Sequence, residues 1–172
     1  MNHKSAIMKE KIKIGIIRET KTPPDRRVPL TPSAARELIE KFPNLEITVQ
    51  PSELRSFKNN EYTREGFHLQ ENLSDCDFLM GVKEVKVQAL IPEKTYLFFA
   101  HVAKKQPYNC DLLQEVLNQG ITLIDYEYIT RQNGSRVVAF GHWAGVVGAY
   151  NGLRAYGRRS GDFMLKPAHE FE

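Results

Sequence analysis

The sequence lacks the short motifs that mark several large classes of enzyme. It has no G-x-G triplet and hence no dinucleotide-binding fingerprint, and it has no Walker loop. The motifs H-E-x-x-H, C-x-x-C and G-x-S-x-G are absent as well. Its two cysteines, Cys76 and Cys110, lie far apart, which argues against a disulfide framework and against a zinc site. The five histidines are scattered, so we predict that the chain holds no metal.

The chain also lacks a long apolar run and a strong excess of one charge. No window approaches the length of a membrane span, and the first 13 residues, MNHKSAIMKEKIK, have no apolar core of a signal peptide. The net charge is only +3, and acids are interleaved with the lysines and arginines, so there is no broad basic face. We therefore expect a cytoplasmic protein whose partners are small anions, with no nucleic acid and no membrane.

What the sequence does contain is a regular alternation of apolar runs and amphipathic segments. The apolar runs that predict strands are residues 12–17, 46–51, 76–82, 95–102 and 121–129. Helices are predicted after Thr31, with Pro32 at the first helical position, in the segment NNEYTREGFHL, and at 108–120. Strands that alternate with helices predict one α/β domain over residues 1–172, with a mainly parallel sheet and helices on both faces.

The last part of the chain differs from this alternation. The segment RQNGSRVVAFG has an N-G turn and predicts a small hairpin, and a long helix follows it. Small residues recur in this helix at helical spacing: Ala144, Gly145, Gly148, Ala149 and Gly152. Such a stripe predicts close packing against the sheet or a second helix, with the approach of a cofactor as the alternative.

Charged side chains follow the predicted strands where each strand ends. They are Arg18, Glu19 and Lys21, then Lys83 and Glu84, then His101 and Lys104, then Asp125 and Glu127. Because ligands of open parallel sheets bind beyond the carboxyl ends of the strands, we expect these side chains to converge at one edge. Taken alone, each is explained better as a polar residue where a strand reaches water, whereas the four strand ends together support a functional site and that explanation about equally.

A lysine and a histidine in reach of carboxylates can transfer protons near neutral pH. The loop RETKTPPDRRVPLTP adds Arg26 and Arg27, either of which offers a planar pair of donors for a substrate carboxylate. The alternative is that Asp25 and the two arginines only form a surface ion-pair cluster, which contributes little stability.

Five motifs resemble one known family: RETKTPPDRRVPLTP, GVKEV, FFAHVAKK, LIDYEYI and RVVAFGHWAGVVGAYNGLRAYG. Together they resemble the N-terminal domain of the alanine dehydrogenase and transhydrogenase superfamily. They are most similar to the lysine-forming saccharopine dehydrogenases and the lysine-ketoglutarate reductase domain. The resemblance extends from Ile12 to Gly157 and implies a Rossmann-like or flavodoxin-like substrate domain.

The resemblance also implies a role for individual residues. Lys83 and His101 match the acid–base groups of the family, and Glu84 and Glu127 match glutamates that adjust their protonation. Arg27 matches the arginine that binds the substrate carboxylate. Three further residues match positions that line the cleft: Lys21, Lys104 and Arg136. The family has RAALTP where this chain has RVPLTP, a departure at Pro29 that leaves Arg27 in place.

By resemblance, the cofactor is NAD, held mainly by a Rossmann domain that this chain lacks and that acts in cis or in trans. The implied substrates are an amino acid and a 2-oxo acid, and the implied reaction is the conversion of saccharopine, NAD and water to lysine and 2-oxoglutarate. Two alternatives stay open: oxidative deamination of the alanine dehydrogenase type, and a non-catalytic module that binds carboxylates. The sequence also leaves open the direction of the reaction, whether the chain forms an oligomer and whether it is active alone.

Overall fold

The computed structural model describes residues 11–170. Residues 1–10, most of the segment considered as a signal peptide, lie outside the described residues. The chain divides into two compact units, Met1–Ile129 and Thr130–Glu172, and we describe each by itself. A single domain over residues 1–172 stays a prediction. Among the described residues, no helix is both long enough and apolar enough to span a membrane.

The first unit is built on a six-stranded sheet in which every pair of neighbouring strands is parallel. The strand order is β3-β2-β1-β4-β5-β6. The strands are β1 (Ile12–Ile16), β2 (Leu45–Val49), β3 (His68–Leu69), β4 (Phe78–Lys83), β5 (Thr95–Phe99) and β6 (Thr122–Asp125). The predicted fold class, α/β with a parallel sheet, is confirmed. Because the strands are parallel, the carboxyl ends of all six lie on the same side of the sheet, which we call the carboxyl edge.

Three helices flank the sheet, and local sequence explains where they begin. They are α1 (Pro32–Lys41), α2 (Asn59–Arg64) and α3 (Cys110–Asn118). The Thr31 hydroxyl accepts the N–H of Ala34 at 3.2 Å and Pro32 opens α1, as predicted. Gly120, just past α3, has the left-handed φ of 62° that a glycine adopts at little cost.

The two faces of the sheet carry separate hydrophobic cores, because successive side chains of a strand point to opposite faces. Ile14, Ile16 and Ile47 pack with Ala35 of α1 and Tyr62 of α2. On the other face, three buried residues of the strands, Leu79, Tyr96 and Phe98, pack with Leu112 and Val116 of α3. Helices therefore cover both faces, as predicted.

Two strands end earlier than their apolar runs predict. β5 ends at Phe99, because the backbone of His101 turns into the left-handed region with a φ of 57°. β6 ends at Asp125, and a 3-10 turn, Tyr126–Tyr128, follows it. The β4–β5 pairing also shifts register between Met80 and Lys83. The early strand ends and the register shift change the backbone direction at the positions where the charged residues begin.

The second unit contains the predicted turn and the long helix α4 (Gly141–Ser160). Thr130 and Arg136 form an isolated antiparallel bridge around the turn at Gly134. Beyond α4 the chain folds back, and the hydroxyl of Tyr150 donates to the carbonyl of Lys166 at 2.7 Å. Within this unit, apart from the neighbouring backbone of α4 itself, no described atom lies within 4 Å of a Cβ built on Gly145, Gly148 or Gly152, the glycines of the small-residue stripe. The close packing expected for this stripe is therefore not found in the unit.

Candidate active site

A carboxylate from the loop after β1 accepts hydrogen bonds from the backbone at the end of β4. Glu19 accepts the backbone N–H of Val82 at 2.6 Å and that of Lys83 at 3.0 Å. Burial raises the pKa of Glu19, although these two N–H donors act in the opposite direction. Glu19 thus fixes the backbone from which the side chain of Lys83 projects.

Glu84 forms an ion pair with Lys21. The Lys21 ammonium donates to Glu84 Oε1, and the Glu84 side chain is 18% exposed. Burial by itself would raise the pKa of Glu84, but the hydrogen bond from Lys21 and the charges of Lys21 and Lys83 together lower it. Its second oxygen, Oε2, is buried and has no hydrogen-bond partner in the described part of the chain. Glu84 therefore presents an unused acceptor next to Lys83.

Glu127 is shared by two basic side chains. Its Oε2 lies 3.1 Å from Nδ1 of His101, and its Oε1 lies 2.9 Å from Nζ of Lys104. The Glu127 side chain is only 7% exposed, whereas both partners reach solvent. This carboxylate can hold the imidazole of His101 in one orientation and stabilise it when it is protonated.

The last residue of β6, Asp125, accepts hydrogen bonds from the backbone around His101. Asp125 accepts the N–H of His101 through Oδ2 at 3.0 Å and the N–H of Glu127 through Oδ1 at 2.9 Å. The left-handed conformation of a residue with a side chain costs about 1–2 kcal/mol, and the hydrogen bond to Asp125 offsets part of that cost. The imidazole also stacks on the ring of Phe99, with centroids 6.2 Å apart.

The arginine-rich loop contains the ion pair considered as the alternative to carboxylate binding. The Nε of Arg27 donates to Asp25 at 2.9 Å and its Nη2 bonds the other carboxylate oxygen, which is the ion pair named as the alternative. The hydrogen bond from Arg27 lowers the pKa of Asp25. Arg26 instead lines a cavity of about 420 Å³ together with Lys21, Asp25 and Lys83. The arginine expected to bind substrate is therefore already paired, and its neighbour borders the open volume.

The carboxyl edge carries most of the predicted residues in two groups. The β1–β4 group consists of Glu19, Lys21, Asp25, Arg27, Lys83 and Glu84. The β5–β6 group consists of His101, Lys104, Asp125 and Glu127. The two are adjacent, because Lys83 pairs in register with Phe99, two residues before His101. Lysine and histidine, each next to a carboxylate, are groups that can take up and release protons.

Two predicted residues lie apart from these groups. Arg136 belongs to the second unit, and its place in the site stays a prediction. Arg18 pairs with Glu71 and borders a different cavity. Among the described residues, no cluster of three or more His, Cys, Asp or Glu side chains could hold a metal ion.

The roles of Glu19 and Asp125 were not predicted from the sequence. Both residues were noted as charged residues at strand ends, but their partners are backbone N–H groups. Every residue except proline has such a donor, so nothing in the sequence marks the one that will be bound. The only usable signal was position, since each carboxylate comes close to the end of a strand.

Comparison with known proteins shows which family the sequence matches. The sequence profile described as alanine dehydrogenase/PNT, N-terminal domain, matches residues 15–147. The mitochondrial alpha-aminoadipic semialdehyde synthase of Rattus norvegicus is 43% identical over 135 residues, which are 78% of this chain and 14% of that protein. The saccharopine dehydrogenase (NAD(+), L-lysine-forming) of Candida glabrata is 34% identical over 158 residues, 88% of this chain and 40% of that protein.

A solved structure shows the same fold. An L-alanine dehydrogenase superposes with a TM-score of 0.58 at 21% identity, over 72% of this chain and 35% of that chain. The chain thus spans well under half the length of the relatives and of the solved structure that it matches.

Proposed function

Because the chain belongs to the family of alanine dehydrogenase/PNT N-terminal domains, we propose that it is the substrate-binding and acid–base part of an NAD-dependent amino-acid dehydrogenase. The proposed reaction converts saccharopine, NAD and water to lysine and 2-oxoglutarate. Relatives that bear the name of a lysine-forming saccharopine dehydrogenase support this choice of substrate.

One observation carries the proposal: two adjacent strands, β4 and β5, lead at the same edge to Lys83, which Glu84 follows in sequence, and to His101, whose Nδ1 lies 3.1 Å from Glu127. Oxidation of a secondary amine requires a group that accepts the amine proton, and hydrolysis of the resulting imine requires a group that assists the addition of water. We assign these two roles to Lys83 and His101. Glu84 and Glu127 adjust the protonation of their neighbours through charge and hydrogen bonds.

Substrate carboxylates are assigned to the arginine-rich loop. Arg27 presents a planar fork, and its side chain, which is 42% exposed, can exchange Asp25 for a ligand while Asp25 keeps the hydrogen bond from the backbone N–H of Arg27. Lys21 and Lys104 add positive charge on either side of the site and favour an anionic ligand.

The residues of this chain do not fit a dinucleotide. The loop after β1 contains Arg18, Glu19 and Lys21 where a Rossmann fold has a glycine-rich turn, and Glu19 faces the end of β4. We therefore propose that NAD, the hydride acceptor, binds mainly to a Rossmann domain in cis or in trans.

Two measurements test the proposal. In calorimetry, the chain alone should bind 2-oxoglutarate and should not bind NAD in the low micromolar range. Supplied with an NAD-binding domain, it should support saccharopine-dependent reduction of NAD. Turnover with alanine instead would favour the deamination alternative, and carboxylate binding without turnover of either would favour a binding module. Low-micromolar NAD binding by the chain alone would contradict the proposed division of roles.

A further inference from the structure

A second cavity lies at the carboxyl edge and shares no lining residue with the 420 Å³ cavity. Its volume is about 250 Å³, and it is on the same face of the sheet as α3. Helix α3 packs over β4 and β5, and in the described part of the chain the cavity near β1 is bordered by the loop that contains Leu73 and by the segment from Val85 to Ile91. The cavity is the space between these two segments.

The floor of the cavity is apolar. Leu73, Leu79 and Tyr96 belong to the buried core, and three further aliphatic side chains, Ile17, Val85 and Ile91, pack against it. The hydroxyl of Tyr96 accepts the N–H of Ile91 at 2.9 Å. Such a floor accepts an aliphatic group and disfavours a polar side chain, which would lose its hydrogen bonds to water there.

The rim carries one positive and one negative charge side by side. Arg18 bonds both carboxylate oxygens of Glu71, with Nη1 at 3.0 Å from Oε2. Gln50 holds the rim together, because its Oε1 accepts the N–H of Arg18 at 3.1 Å and its Nε2 donates to the carbonyl of Glu71 at 3.0 Å. The arginine and glutamate side chains are 40% and 62% exposed, so separating them costs little.

We propose that this cavity binds a free α-amino acid with an aliphatic side chain. The α-carboxylate takes the fork of Arg18 and the α-ammonium takes the carboxylate of Glu71, so the ligand replaces one exposed ion pair with two. A free α-amino acid carries both charged groups on one carbon, and its side chain then enters the apolar floor. The volume suffices, since an apolar cavity of about 150 Å³ already holds benzene.

The chain connects this cavity to the candidate active site. Thr20 and Val85 line the cavity, and each is next in sequence to a member of the β1–β4 group, Lys21 and Glu84 respectively. A bound amino acid would therefore contact both segments that carry the Lys21–Glu84 ion pair. Binding can be measured without any catalysis, so the test is independent of the proposed function.

The test uses the 172-residue chain and follows its backbone amide resonances by NMR. Leucine should bind saturably, with a Kd at or below about 1 mM, and should shift the amides of residues 17–20, 71–73 and 85–91. Three analogues each remove one feature: 4-methylpentanoate lacks the ammonium, 3-methylbutylamine lacks the carboxylate, and glutamate has a polar side chain. Each should bind at least about tenfold more weakly, as expected when one charged contact or the apolar contact is lost.

A pair of variants locates the ligand. Ala89 lines the cavity from an exposed position, so Ala89→Leu should fill the space and weaken leucine binding at least about tenfold without changing the core. Gln88→Leu places the same side chain one residue away, outside the lining, and should leave binding unchanged. Arg18→Ala and Glu71→Ala should each weaken binding by a similar factor. Circular dichroism checks that every variant is folded.

Three results would overturn the proposal. One is the absence of saturation by leucine up to about 10 mM, which exceeds the expected Kd tenfold. Another is equal binding of leucine and the three analogues. The third is unchanged leucine binding in folded Ala89→Leu, because the ligand would then occupy some other site.

Discussion

The two charged groups at the carboxyl edge are built differently. In the β5–β6 group, one buried carboxylate, Glu127, serves both His101 and Lys104. In the β1–β4 group, each carboxylate has a separate partner, because Glu84 pairs with Lys21, Asp25 pairs with Arg27, and Glu19 binds backbone N–H groups. A shared buried carboxylate couples its partners, whereas separate pairs can be changed one at a time.

This difference implies different responses to mutation. Effects of changes within one hydrogen-bonded network are not additive, but effects at independent pairs usually are. We therefore expect changes in the β5–β6 group to depend on one another and changes in the β1–β4 group to sum. Variants in the two groups test this contrast, and their expected effects range from several orders of magnitude in kcat to a small change in stability with pH.

The largest effect is expected at the two proposed acid–base residues, one from each group. In a protein that combines this chain with an NAD-binding domain, Lys83→Met should lower kcat by about 10²–10⁴-fold, and His101→Gln should act similarly. If the two residues serve one sequence of proton transfers, the double variant should lose less than the product of the single losses. Steady-state kinetics with saccharopine measure this. Turnover close to that of the parent protein over about pH 6 to 9 would mean that the residue is only a polar strand end.

The next effect concerns the pair formed by Asp25 and Arg27. Arg27→Ala should weaken 2-oxoglutarate binding by about 2–3 kcal/mol, because a charge-assisted bidentate contact is lost. The melting temperature should change little, because the Arg27 side chain is 42% exposed and Asp25 keeps the hydrogen bond from the backbone N–H of residue 27. Arg27→Lys should recover only part of the affinity, since an ammonium lacks the planar pair of donors. Calorimetry and thermal unfolding give both quantities.

Two further arginines serve as controls for Arg27. Arg64→Ala on α2 removes the same charge at a position outside both charged groups and outside the lining of the 420 Å³ cavity, and should leave affinity unchanged. Arg26→Ala should be mild, although Arg26 lines the 420 Å³ cavity. A larger loss with Arg26→Ala than with Arg27→Ala would transfer the carboxylate-binding role to Arg26.

The shared carboxylate should matter more for stability than the separate one. Glu127→Gln keeps the shape but removes the charge that faces His101 and Lys104, and should lower the free energy of unfolding by about 1–3 kcal/mol. Glu84→Gln disturbs one ion pair with a partly exposed lysine and should cost less than about 1 kcal/mol. Urea unfolding at pH 7 compares them. Equal losses would remove the contrast between the two groups.

The smallest effect is a pH dependence from Glu19. Its pKa is raised by burial above the ordinary value of 4.5, so the folded state binds this proton more tightly than the unfolded state does. The contribution of Glu19 to stability is therefore complete below pH 4.5 and decreases as the pH rises through the raised pKa. In urea unfolding over this range, the stability of the parent protein relative to Glu19→Gln should fall as the pH rises.

Glu40→Gln controls for the loss of one carboxylate at an exposed position on α1. If the stability difference between the parent protein and Glu19→Gln were constant with pH, or increased, the inference about Glu19 would be wrong.

The sequence predicted structural elements correctly where the residues that determine them are close together in the chain. Thr31 and Pro32 marked the start of α1 because a cap needs only residues within one turn. Prediction was less accurate at the ends of β5 and β6, where the apolar runs continue after the strands stop. There the hydrogen bond from the backbone N–H of His101 to Asp125, 24 residues away in sequence, stabilises a conformation that no local pattern indicates.

The sequence by itself determined the alternation of strands and helices, and with it the edge at which the charged residues gather, because periodicity and strand ends are properties of short segments. Only the tertiary structure decided which acidic side chain pairs with which basic side chain. Lys21 and Glu84 are 63 residues apart, and His101 and Glu127 are 26 apart. Arg18, expected with the others, pairs instead with Glu71 beside a separate cavity. The order of the strands and the path of the loops determine such pairs. Neither feature can be read from the sequence around one of the two residues.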